Sequence, residues 1–141
     1  MVIKNELIGL PPNFKVEKKA LVDIGIKSWN DLKFLNDEQI NLLIKTGLST
    51  QRNLKRARGI AQLICDLKLE PSDAALLMHA GFATVTALAS ATPQEVLIKT
   101  GRLERQLLNR HHHLMDLPKA NKLIRRAKNM LIKNEHKMNT H

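Results

Sequence analysis

Apolar residues in this chain recur at intervals of three and four, and short polar or glycine-bearing breaks divide them into helix-length runs. The run 16–23 predicts a short helix ended by Gly25, and 28–35 predicts a second with Ser28 as its cap. Asn36-Asp37-Glu38-Gln39 has the form of a capping box and opens a helix to Thr46, closed by Gly47. Ser49 or Thr50 then caps a longer helix to about Leu67, on which Leu54, Ala57, Ala61 and Ile64 line one face. Pro71 suits a first helical position ahead of a helix over 73–79. Thr92-Pro93-Gln94-Glu95 joins a cap, an N1 proline and a reciprocal glutamate, and its helix is predicted to end at Gly101. Residues 103–110 read as helical. A final amphipathic helix over 118–133 turns Ala120, Leu123, Ala127, Met130 and Leu131 inward. No stretch alternates with period two for long enough to predict a strand.

The pattern repeats. Shifted by 56 residues, Ile24-Gly25-Ile26-Lys27-Ser28-Trp29-Asn30-Asp31-Leu32 matches Ala80-Gly81-Phe82-Ala83-Thr84-Val85-Thr86-Ala87-Leu88, and Leu21-Val22 pairs with Leu77-Met78. With a two-residue gap, Ile44-Lys45-Thr46-Gly47 recurs as Ile98-Lys99-Thr100-Gly101. Such self-similarity predicts a duplicated supersecondary unit. Gly25 and Gly81 each stand where a helix ends and the chain must enter the left-handed region.

Composition narrows this to an all-α chain. Aromatic residues are only 3% and Tyr is absent, so the core must be aliphatic, which disfavours a β-sandwich. The reading is two tandem helix-hairpin-helix-like repeats, about 7–67 and 68–133, packed as one compact helical domain with a C-terminal amphipathic helix. Residues 134–141, polar and basic, read as a mobile tail. The single cysteine, Cys65, excludes an intramolecular disulfide and fits a reducing compartment. No apolar run approaches the ~20 residues that span a bilayer, and Met1–Glu6 shows no signal-peptide core. A cytoplasmic location with no membrane partner is therefore expected.

Charge changes the picture further. The net charge of +10 divides as +1 over residues 1–50, +3 over 51–67, −2 over 68–97 and +8 over 98–141. Two basic segments thus flank a mildly acidic one. Such a distribution points to a phosphate-bearing or otherwise acidic partner, against the plainer reading of a solvated surface.

A family resemblance enters at three places. These are Ile60-Ala61-Gln62-Leu63 running into Pro71; Ala80-Gly81-Phe82-Ala83-Thr84 with Leu88; and Pro118 with Ile124, Ala127 and Lys128. Together they resemble an uncharacterised tandem helix-hairpin-helix family of cyanobacteria and other bacteria, related in fold to double helix-hairpin-helix DNA-binding domains. The resemblance covers about residues 7–133. It implies hairpins of the form Gly-apolar-Gly, whose backbone N–H groups approach a DNA phosphate. The sequence departs from that form. Lys68 and Glu70 stand at the glycine positions of Lys68-Leu69-Glu70-Pro71, and a carboxylate there repels phosphate. Gly9-Leu10-Pro11-Pro12 keeps one glycine, and its prolines have no N–H.

Nucleic-acid binding is therefore expected through the basic helices. The candidate residues are Arg52, Lys55, Arg56 and Arg58 on the long helix, and Arg102, Arg105 and Arg110 beyond Gly101. Lys119, Lys122, Arg125, Arg126 and Lys133 on the final helix complete the set. Docking on an acidic protein is the competing expectation. Trp29 faces an aliphatic repeat mate, Val85, so Trp29 and Phe82 are assigned to the core rather than to base stacking.

Chemistry finds less support. The side chains of His111-His112-His113 on a helix would splay by roughly 100° each and cannot converge on one ion. Cys65 has no polarising mate and reads as a half-buried structural thiol. No phosphate-binding loop, dinucleotide fingerprint or nucleophile elbow is present. Hence no enzyme activity, metal, cofactor or small-molecule substrate is expected.

Overall fold

The computed structural model describes residue 7, residues 9–104 and residues 115–138, of which 135–138 as backbone only. A 3-10 turn (Pro12–Phe14) leads into α1 (Lys15–Asp23), α2 (Trp29–Lys33), α3 (Asp37–Thr46) and α4 (Gln51–Leu67). Then follow α5 (Pro71–His79), α6 (Val85–Ala89), α7 (Pro93–Leu103) and α8 (Leu117–Met138). Among the described residues there is no strand, so the fold is all-α.

Local chemistry sets the boundaries. Ser28 with Asp31, Asn36 with Gln39, and Thr92 with Glu95 each form a reciprocal capping box. Thr50, not Ser49, caps α4, its hydroxyl accepting the Asn53 N–H at 3.1 Å. Gly47 ends α3 in extended backbone. Pro71 stands at N1 of α5, so that helix starts two residues before the predicted 73.

Two expectations fail here. Gly101 does not end α7. It is buried within the helix, which runs on to Leu103, so the Ile-Lys-Thr-Gly match joins segments in different structural settings. Gly47, by contrast, is exposed and outside its helix. At the other end, α8 continues to Met138, five residues beyond the predicted end at 133. The helix expected over 103–110 lies outside the described residues after Glu104, as do His111–His113.

The ungapped 56-residue shift is the register that holds. It maps α1 onto α5, α2 onto α6 and the start of α3 onto that of α7. The turns agree bond for bond. Ile26 N–H donates to Leu21 O (2.9 Å) and Gly25 N–H to Val22 O (3.0 Å). Phe82 N–H donates to Leu77 O (2.8 Å) and Gly81 N–H to Met78 O (3.2 Å). Each is a Schellman motif with its glycine at positive φ, 89° for Gly25 and 102° for Gly81.

Packing follows the same scheme. Helices α2 and α3 lie on α4, while α6 and α7 lie on α8; α4 also touches α5 and α8 and so joins the two halves. Leu32, Leu54, Ile60, Leu63, Leu77 and Leu88 are fully enclosed, which gives the aliphatic core that the composition demands. Trp29 and Phe82 are buried with them. No helix among the described residues is long and apolar enough to cross a membrane.

Candidate nucleic-acid interface

The two basic helices enter the structure with different duties for neighbouring cations. On α4, Arg52 and Lys55 are exposed in and just after the first turn, where no acid offsets them. The N-terminus of α4 is itself positive, because its first N–H groups lack helical partners. One of the chain's own acids already serves this end. Glu17, buried on α1, accepts the Thr50 N–H at 3.1 Å and the Asn53 side-chain amide at 3.2 Å. The backbone donor at Thr50 is thus taken, and Arg52 and Lys55 remain as outward charges.

Arg58 has turned inward. It donates to the Leu35 carbonyl (3.0 Å) and to Asp37 (3.1 Å), tying α4 to the corner between α2 and α3. Arg56 is half-buried beside His79. Burial first, and the Arg56 charge second, push the His79 pKa below its ordinary 6.5. The His79 ring stacks on Phe14, with centroids 6.0 Å apart.

On α8 the division is similar. Lys119 pairs with Asp73 at 2.8 Å, and its N–H is capped by Asp116 at 2.9 Å. Arg126 donates to the Leu67 carbonyl at 3.1 Å, setting a positive charge at the C-terminal end of α4, where the helix dipole favours it. Lys122, Arg125 and Lys133 are exposed and make no ion pair among the described residues. Arg102 is exposed in the last turn of α7. Arg105 and Arg110 lie outside the described residues.

Two cations missing from the sequence-derived set join this surface. Lys128, one turn past Arg125, is exposed on the same helix. Its spacing alone could have placed it there. Lys68 takes the left-handed conformation (φ 55°) at the end of α4. It lines an open cleft with Asp66, Arg126, Asn129 and Lys133. Only the fold brings Lys68 to α8.

The thiol of Cys65 is half-buried near the other side of α4's C-terminal turn. Burial raises its pKa; the Lys33 charge opposes that and the Asp66 charge adds to it. Lys33 and Asp66 are themselves ion-paired at 2.5 Å. Among the described residues, no group of three His, Cys, Asp or Glu side chains could hold a metal ion.

The fold and this surface define an all-helical protein with cation-bearing α4 and α8. The chain belongs to the family described as domain of unknown function DUF4332, which matches it over residues 11–130. No curated protein and no solved structure matches it.

Proposed function

We propose that this protein binds nucleic acid without catalysing a reaction, gripping phosphates with the cations of α4 and α8. The observation that carries this is a division of labour among charges. Glu17, Asp31, Asp37, Asp66, Asp73, Glu95 and Asp116 each accept a hydrogen bond from the chain itself. These seven acids are thereby spent on caps and internal pairs, while Asp23, Glu38 and Glu70 stay exposed. Arg52, Lys55, Lys122, Arg125, Lys128 and Lys133 are left exposed, with no ion pair among the described residues. Such an unneutralised array gains by displacing counter-ions from a polyanion. Arg52 and Lys68 stand roughly 24 Å apart along α4 at 1.5 Å per residue, about seven steps of a duplex.

In this reading the chain is a tandem helix-hairpin-helix protein whose hairpins, Gly9-Leu10-Pro11-Pro12 and Lys68-Leu69-Glu70-Pro71, have lost glycines of the phosphate-gripping form. The grip accordingly rests on the long helices.

A gel-shift titration at two salt concentrations tests the proposal. Each phosphate contact contributes about 0.9 to the slope of log K against log salt. Replacing Arg52, Lys122, Arg125 and Lys133 by Ala should therefore weaken binding and flatten the slope by roughly 3 to 4. No binding by folded protein at about 50 mM salt, where such contacts are strong, overturns the proposal. An unchanged slope in the variant overturns the assigned surface.

A further inference from the structure

Most of the exposed large apolar side chains lie before residue 50, and several of them stand together. An open groove runs between α1 and α3. Val16, Ala20 and Ile24 form one wall, spaced by four residues so that they share a face of α1. Leu43 and Gly47 belong to the other wall, and Leu48 stands at the rim. Val16 is 46% exposed, Ile24 42% and Leu48 86%. The surroundings of this apolar groove are basic. Lys15, Lys18 and Lys19 on α1 and Lys45 on α3 are exposed, and none has an ion-pair partner among the described residues. Helix α4 begins at the same place, since Ser49 lines the groove and Glu17 of α1 bonds Thr50 and Asn53. Its exposed Arg52 and Lys55 therefore lie beside the groove. Acids offset these cations poorly. Asp23 lines the groove, but Asp37 is paired with Arg58, and Glu38 stands at the far end of α3.

We infer that this groove seats an acidic amphipathic helix of a partner protein. Apolar walls select apolar side chains, and a helix offers these along one face at intervals of three and four. The wall from Val16 to Ile24 is roughly 12 Å long at 1.5 Å per residue, which two to three turns of helix would fill. The basic surroundings select Asp and Glu on the flanks of that helix, to meet Lys15 and Lys19 on one side and Lys45 on the other. A carboxylate beside Asp23 is disfavoured, so the acids belong toward the Lys15 end of α1. Nucleic acid would offer phosphates to these lysines but nothing apolar to the walls. A lipid surface would meet the protruding Leu48 without filling the groove below it. The inference stands whether or not the cations of α4 and α8 bind nucleic acid.

Fluorescence anisotropy with the full chain tests this. The probe is a labelled peptide of about three turns, lactam-bridged to hold it helical, with Leu along one face and Glu on both flanks. It should bind saturably, and the same peptide with Lys in place of Glu should not. Leu48→Asp and Val16→Asp, at exposed positions, should each weaken binding by about tenfold or more while leaving the circular dichroism spectrum unchanged. Lys19→Glu should weaken it similarly. Replacing Lys122, Arg125 and Lys133 on α8 by Ala should leave it unchanged. Absence of saturable binding overturns the inference. Binding that survives both Leu48→Asp and Val16→Asp, or that is lost with the α8 cations, overturns it too, because charge alone then holds the peptide. Phosphatidylserine vesicles supply the last comparison: if they bind the chain through Leu48 and the peptide does not, the face belongs to a lipid surface and the inference fails.

Discussion

The buried carboxylate of Glu17 accepts the backbone N–H of Thr50, 33 residues further along the chain, at 3.1 Å. Glu17 on α1 thereby fixes the start of α4, and it does so from a position only 2% exposed. Replacing it by Ala leaves the Thr50 N–H and the Asn53 amide without this acceptor. The expected loss is about 1–3 kcal/mol of unfolding free energy by urea titration. Glu17→Gln, which keeps an acceptor oxygen, should lose less. Equal losses for the two would show that the hydrogen bonds are not the cause.

Three glycines separate backbone strain from crowding. A Cβ at Gly25 or Gly81 meets nothing within 4 Å, so Ala at either carries only the left-handed penalty of about 1–2 kcal/mol. Gly9 also has positive φ, but its Cβ would lie 2.8 Å from that of Pro71. Gly9→Ala should therefore destabilise more than Gly25→Ala or Gly81→Ala, which should match each other. Thermal melts of the three variants decide this, and a Gly9→Ala melt equal to the other two would refute the crowding.

The Ser49 hydroxyl is buried and has no hydrogen-bond partner among the described residues. Such a group costs its desolvation without return. Ser49→Ala should be neutral or stabilising by up to about 1 kcal/mol, whereas removing the hydroxyl of Thr50, which caps α4, should destabilise by about that amount. A clear destabilisation by Ser49→Ala in denaturant titrations would contradict this account.

His79 makes the fold sensitive to acid. Its folded pKa lies below the ordinary 6.5, so below that pH the unfolded chain takes up the proton more readily. The contribution of the neutral ring is fully present above 6.5 and is lost as the pH falls through the folded value. Stability should therefore decline as the pH falls below 6.5. His79→Gln should flatten that decline by a fraction of one proton, because the ring is only half-buried. The difference between the two profiles isolates His79. Superimposable profiles would dismiss the effect.

The helix caps were readable because each is a local rule. Ser28, Asn36 and Thr92 bond to a residue three positions on, and that spacing is visible in the chain. Helix α6 was not predicted separately: α2, equally short, carries the reciprocal pair Ser28 and Asp31, whereas Thr84 has Ala87 at the matching position. The Ile-Lys-Thr-Gly match misled for a different reason. Identical letters carry no information on burial, and Thr100, fully buried, bonds back to Val96 O inside a continuing helix. Among the candidate cations, Arg58, Lys119 and Arg126 are held by Leu35 and Asp37, by Asp73 and by Leu67. Those partners are distant in sequence, so no pattern along α4 or α8 separates such cations from the outward-facing Arg52 or Arg125.

The turns at Gly25 and Gly81 are closed by main-chain bonds alone, to the carbonyls of Leu21 and Val22 and of Leu77 and Met78. Their geometry asks nothing of the side chains at Lys27 and Ala83, and these have drifted to unlike chemistry without moving the backbone. The two turns are consequently one backbone design in two settings. Phe82 is buried and Ala83 packs on the core, whereas Lys27 is exposed, so the same closure serves as a core corner in the second half and a solvent-facing, lysine-bearing corner in the first.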